Sequence, residues 1–151
     1  MSLEENKNLV LDFYKALRCK DLDAAAAMCH EDFVFYNQID SPRRGIEGFL
    51  ASEKKNLDAF DGYSMDVETI AEGNNVVAYI AFEGDQSGEI FGIPPKGAHL
   101  RMSMCNLFRI KDGKFVEKRA HFDRLDHIEQ LNRGNQSVNS ARPINRTDSN
   151  P

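Results

Sequence analysis

The chain contains no tryptophan and only three cysteines and five prolines among its 151 residues. Cys19, Cys29 and Cys105 are odd in number, scattered and free of any CxxC pairing, which excludes a disulfide framework or a zinc ribbon and predicts buried, reduced thiols. No apolar run approaches the roughly 18 residues of a membrane span, and the opening MSLEENKNLVLDF carries acids where a signal peptide carries a basic region. The expected location is therefore cytoplasmic, with no membrane partner. There is no excess of basic charge either: the net charge of −5 gives nucleic-acid backbones and anionic lipid no long-range attraction. His30, His99, His121 and His127 are dispersed, without metal-ligand spacing, so no metal is expected. No GxGxxG, phosphate loop or nucleophile elbow occurs, which argues against nucleotide enzymes and triad hydrolases.

What is present has the balance of a globular domain, 41% hydrophobic and 28% charged. Ser2 and Glu5 form a capping-box pair ahead of Leu9, Val10, Phe13, Tyr14 and Leu17, which share one face of a helix. Asp21 suits the cap of a short helix through the alanines to Met28, and Phe33 to Tyr36 reads as a short strand. After a turn at Ser41, Pro42 and Gly45, the apolar residues Ile46, Phe49, Leu50, Leu57 and Phe60 predict a third helix. The period then changes. Tyr63 to Ala71, Val76 to Glu83, His99 to Ile110 and Phe115 to Phe122 read as strands, with turns at 73–75 and 111–114, and a last helix is predicted over Arg124 to Leu131.

Helices first and antiparallel strands after them define an α+β layout. The expected architecture is a cone-shaped barrel, with N-terminal helices packed on a curved, mainly antiparallel sheet that encloses one pocket. The domain is expected over residues 1–132, with 133–151 as a flexible C-terminal tail that has almost nothing to bury.

The segment from Gly88 to Asn132 resembles the SnoaL-like polyketide cyclase family of the nuclear transport factor 2-like superfamily. The likeness rests on the GIPPKG turn of Gly92 to Gly97, the long strand ending in Arg109 and Ile110, the DGK turn of Asp112 to Lys114, Asp123, and Gln130 with Leu131. The helix with Phe13 and Tyr14, the HEDFVFYN stretch and the RRGIEGF turn extend it to about residues 3–132. The resemblance implies a cofactor-free pocket, a dimer or larger assembly, and an aspartate acting as general acid and base in intramolecular aldol ring closure. It also implies altered substrate contacts, because Gln86 and Asn106 stand where family members often have histidine, and Arg119 where they have tryptophan.

By strict alternation Phe115, Glu117, Arg119, His121 and Asp123 share one strand face. Asp123 is the candidate catalytic acid and base, although it also suits the N-cap of the last helix with Asp126 as its partner. His121 would shuttle the proton or orient the carboxylate. Arg119 would hold an oxyanion or pair with Glu117 or Glu89, and Asn106 would donate to an enolate oxygen or bond to a strand neighbour. Gln86, Asn37 and Tyr14 complete the candidate substrate-binding set.

The function expected is that of a cofactor-independent cyclase or isomerase acting on a small hydrophobic or polyoxygenated carbonyl compound. Two alternatives stand beside it: epoxide or ester hydrolysis on the same fold, and a non-catalytic ligand-binding or oligomerisation module. The strand with Arg101, Ser103, Cys105 and Leu107 mixes apolar and polar residues on its outer face, in the manner of an interface, and predicts a homodimer or tetramer.

Overall fold

A computed structural model describes residues 1–37 and 41–134. Helix α1 (Leu3–Arg18) opens on the expected capping box: the Ser2 hydroxyl accepts from the Glu5 amide, and the Glu5 carboxylate accepts from the Ser2 amide. Helix α2 (Leu22–Ala27) is capped by Asp21, whose carboxylate accepts from the Ala24 amide at 2.9 Å. Strand β1 (Cys29–Tyr36), the short β2 (Pro42–Arg44) and helix α3 (Ile46–Asp58) follow, then β3 (Phe60–Glu72), β4 (Asn75–Gln86), β5 (His99–Lys111), β6 (Lys114–Phe122) and helix α4 (Arg124–Arg133). The last helix thus runs one residue past the expected domain boundary, and the tail beyond Gly134 lies outside the described residues. No helix among the described residues is long and apolar enough to cross a membrane.

The six strands form one mixed α+β sheet in the order β2-β1-β6-β5-β4-β3. All neighbours are antiparallel except β1 and β6, which run parallel. The sheet is not closed, because β2 and β3 end it without pairing to each other. It is an open half-cone, with the helices on its inner face.

Helix α1 is tied to β3 at two points. The Asn6 amide donates to the Gly73 carbonyl at 3.1 Å, and the Arg18 guanidinium donates to the Met65 carbonyl at 2.7 Å. Between these ties the helix buries Val10, Phe13, Tyr14 and Leu17 against the sheet. Phe13 is the hub of the core, with its ring 5.3 Å from Phe115, 5.8 Å from Phe108 and 6.2 Å from Phe49. Each such pair contributes about 0.5–1.5 kcal/mol beyond area burial.

One irregularity in β6 decides which side chains face inward. Arg109 pairs with Glu117 but the next residue, Ile110, pairs with Phe115, so Val116 is an extra residue, a β-bulge. Alternation restarts there with the opposite phase. Phe115 faces the core, and beyond the bulge Lys118, Ala120 and Phe122 face inward while Glu117, Arg119 and His121 face out. The single shared face expected for Phe115, Glu117, Arg119, His121 and Asp123 is therefore divided by the bulge.

The expectation of buried thiols is corrected for two of the three cysteines. Cys29 is buried, but Cys19 caps the C-terminus of α1 and Cys105 lies on the outer sheet face, and both are exposed. Residues 87–98 connect β4 to β5 and contain a tight hairpin in which Phe91 (φ 52°) and Gly92 (φ 72°) both take left-handed conformations between paired Ile90 and Ile93. Left-handed φ is usual for glycine and costs a phenylalanine of order 1–2 kcal/mol.

Truncating the aromatic hub is the sharpest test of this core. Phe13→Ala is expected to lower stability by about 3–5 kcal/mol, read as a reduced urea midpoint at an unchanged slope.

Candidate active site

A cavity of about 120 Å³ lies between the inner sheet face, α1, α3, α4 and the 87–98 loop. Its rim carries the exposed residues Asn37, Ser52, Asn56 and Phe91, and its middle is apolar, built from Met65, Phe82, Leu100, Met102, Met104 and Ala120. Polar groups gather at two ends.

The first end is formed by Lys118, Glu53, Tyr14 and Asn106. Lys118 sits on β6 between Phe35 of β1 and Phe108 of β5 and is only 2% exposed. Its Nζ lies 4.9 Å from the centroid of Phe49, 5.5 Å from Phe35, 5.8 Å from Phe108 and 5.9 Å from Tyr14. Among the described residues the one carboxylate within ion-pair range is Glu53 of α3, at 3.8 Å, too far for a hydrogen bond. Burial pulls the ammonium below the ordinary lysine range, against the opposing attraction of Glu53. Tyr14 accepts from the Asn106 amide at 2.7 Å, which leaves its own hydroxyl hydrogen to donate. Burial drives the phenol strongly upward, so it stays protonated. The Asn106 carbonyl oxygen is buried with no hydrogen-bond partner among the described residues.

His127 marks the second end. It projects from the first turns of α4, is 4% exposed, and lies among Phe91 (5.0 Å between ring centroids), Phe122 (5.9 Å) and Phe60 (6.4 Å). Neither ring nitrogen has a hydrogen-bond partner among the described residues. Burial pushes its pKa down from 6.5 to about 4, partly offset by Asp126, so the imidazole is neutral at pH 7. The two ends are separated by the length of strand from Lys118 to Phe122, about 13 Å at ~3.3 Å per residue.

Of the residues expected from sequence, Tyr14, Asn106 and Asn37 line this cavity. The other four do not. Asp123 is exposed and caps α4, its carboxylate accepting from the Asp126 amide at 3.0 Å. Together with His121, Tyr79, Cys105 and Asp126 it borders a shallow hollow at the end of the outer sheet face. Arg119 faces outward, its guanidinium 3.9 Å from the Tyr36 ring centroid and bonded to Glu117. Gln86 is buried but serves the 87–98 loop, its amide donating to the carbonyls of Gly88 (3.1 Å) and Ile93 (2.9 Å).

Lys118, Glu53 and His127 are the residues that sequence reasoning missed. Two of them left a signal: Glu53 falls on the helical stripe of Phe49, Leu50 and Leu57, and His127 lies four residues before buried Leu131.

An α+β half-cone with a mostly apolar cavity on its inner face is the class that fold and site define. Within that class the chain belongs to the SnoaL-like polyketide cyclase family, whose model matches residues 8–131. No curated protein matches the chain. Among solved structures it is similar to a protein of Jannaschia sp. CCS1 described as a SnoaL-like polyketide cyclase, with 24% identity and a TM-score of 0.78 over 85% of this chain and 92% of that one. It is also similar to AclR of Streptomyces galilaeus, described as a hydroxylase, with 24% identity and a TM-score of 0.77 over 87% and 98% of the two chains. An LEH-like epoxide hydrolase of M. tuberculosis shares 21% identity and a TM-score of 0.68 over 90% and 96%. At these identities the likeness is one of fold.

The neutral, unpartnered His127 gives a pH signature. Between about pH 6.5 and 4 the unfolded imidazole binds a proton that the folded one does not, so stability rises with pH across that window and is lost as pH falls through it. His99, held above its ordinary value by Glu83 and Asp85, has the opposite slope, so the comparison is with a variant. His127→Phe is expected to flatten the acid side of the stability curve relative to wild type, measured by urea unfolding at stepped pH.

Proposed function

We propose that this protein is a cofactor-independent cyclase or isomerase that binds a small, largely apolar carbonyl compound of polyketide type in the cavity and moves a proton α to its carbonyl, leading to aldol-type ring closure. The observation that carries this reading is the convergence of Lys118, Glu53, Tyr14 and Asn106 at one end of an otherwise apolar cavity. An enolate oxygen needs donors already in place and free of water, which the Tyr14 hydroxyl and the Lys118 amine supply. A general base needs a carboxylate on the same wall, and Glu53 supplies it. Asp123 held this role in the sequence-based expectation. Among the described residues, Glu53 is the carboxylate that borders the cavity, whereas Asp123 is engaged at the start of α4.

The outer sheet face supports a homodimer or tetramer as the working assembly. Ile70 is 73% and Tyr79 49% exposed there, beside Val77, Cys105 and Leu107 in the paired strands.

Two variants separate the carboxylates. With 1,3-dicarbonyl compounds in D₂O and α-proton exchange followed by NMR, Glu53→Gln is expected to lower kcat by about 10² or more, as for loss of a general base. Asp123→Asn is expected to keep both kcat and stability, since asparagine caps a helix as well as aspartate, whereas Asp123→Ala costs about 0.5–2 kcal/mol of stability. A reversed pattern would return the base to Asp123. Light scattering is expected to give at least twice the 17.1 kDa chain mass at micromolar concentration, and a monomer would remove the proposed assembly.

A further inference from the structure

Lysines are seldom fully buried, and those that are usually find a close carboxylate. Lys118 lacks one at hydrogen-bonding distance: Glu53 is 3.8 Å away, and four aromatic rings hold the amine in place without accepting its hydrogens as a carboxylate would. The side chain lines the cavity, and the Tyr14 hydroxyl and the unpartnered Asn106 carbonyl line it too. Such a setting suits a nucleophile. Removal from water favours the neutral amine, and a neutral amine has the free electron pair that attacks carbonyl carbon.

We infer that Lys118 is the nucleophile of this cavity and forms an imine with the carbonyl carbon of a ligand seated against Tyr14, Asn106 and Glu53. This rests on the carbonyl-binding reading of the same site and gives it a covalent step. The amine electron pair forms the C–N bond while the carbonyl π pair moves to oxygen, and a proton passes from nitrogen to that oxygen by way of Glu53, giving a carbinolamine. A second proton, taken up from solvent through Glu53, goes to the hydroxyl oxygen, the C–O bond breaks, water leaves, and a protonated imine remains. Overall one carbonyl, one amine and one proton become one iminium and one water, with no oxidant or reductant. The iminium acidifies the adjacent C–H, Glu53 takes that proton, and the resulting enamine carbon attacks a second carbonyl of the same ligand. Hydrolysis of the iminium restores Lys118. The ligand class is thus a dicarbonyl or polycarbonyl compound small enough for the cavity, with an apolar middle and a second polar group that reaches toward His127.

The test uses acetylacetone, which condenses with a reactive amine to a stable enaminone plus water, seen by near-ultraviolet absorbance and as a mass increase. The full chain is incubated with the probe near neutral pH, and the modified residue is located by peptide mapping. A single saturable adduct on Lys118 is expected, formed at least tenfold faster than on exposed lysines such as Lys54 and Lys111, and slowed in Glu53→Gln. Lys118→Met and Lys118→Arg should form no enaminone at that rate, the arginine variant placing a basic but non-nucleophilic group at the position. Adducts spread over the exposed lysines, or an unmodified Lys118 in wild type, would overturn the inference without recourse to any variant. Calorimetry on the same samples separates the two readings. Acetylacetone binding without an adduct removes the imine and leaves the carbonyl site, whereas absence of both removes the imine and weighs against the site.

Discussion

Taking a charged amine out of water costs several kcal/mol even after the surroundings relax, and the fold buries a lysine at the centre of its inner face, where desolvation favours the neutral form. Lys118 is accommodated because its neighbours are arranged around it: Phe35 and Phe108 beside it in the sheet, Phe49 and Glu53 from α3, and Tyr14 from α1. Those same neighbours join the aromatic core to the wall of the cavity. Phe49 stacks on Phe13, and Tyr14 meets both Phe13 and Phe108 edge to face. The polar end of the cavity is therefore no addition to a finished core. It is the point where the core stops being apolar.

The cavity has two characters along its length. At the Lys118 end the groups are suited to charge, with an amine, a carboxylate and a protonated phenol close together. At the His127 end a neutral imidazole among rings is suited to a hydrogen bond with an uncharged group, and Phe91 lies across it in a strained turn held by Gln86. The methionines between them, Met65, Met102 and Met104, are unbranched and adapt to the shape of what lies against them. A fold by itself does not fix a chemistry, so the proposed reaction rests on these wall residues and not on the fold.

Much of the architecture was legible because local signals agreed with one another. The Ser2–Glu5 box, the Asp21 cap, the Gly73–Asn74 turn and the Asp112–Gly113 hairpin each fell where the sequence put them. The parallel pairing of β1 with β6 was not legible, since a pairing between distant segments leaves no local mark, and β2 was read as a turn for want of length. The facing of β6 is not legible in the sequence, for one physical reason. A bulge at a valine has no residue signature, and once it is missed every side chain after it is assigned to the wrong face. Strict alternation puts Arg119 and His121 on the pocket face, and the bulge turns both outward and Lys118 inward. Tyr14 and Asn106 both border the cavity, since the helix α1 and the strand β5 keep their periods without interruption around them.

The same bulge bears on which changes the cavity wall withstands. If the bulge were flattened with every residue kept, strict alternation would turn Glu117, Arg119 and His121 inward and Lys118 outward, whereas deletion of Val116 would restore regular pairing and leave those faces as they are. One strand thus carries two alternative linings, an amine row and an imidazole–guanidinium row, and the bulge selects between them. The wall of the cavity is therefore insensitive to losing a residue at this position and sensitive to any change that straightens the strand around it.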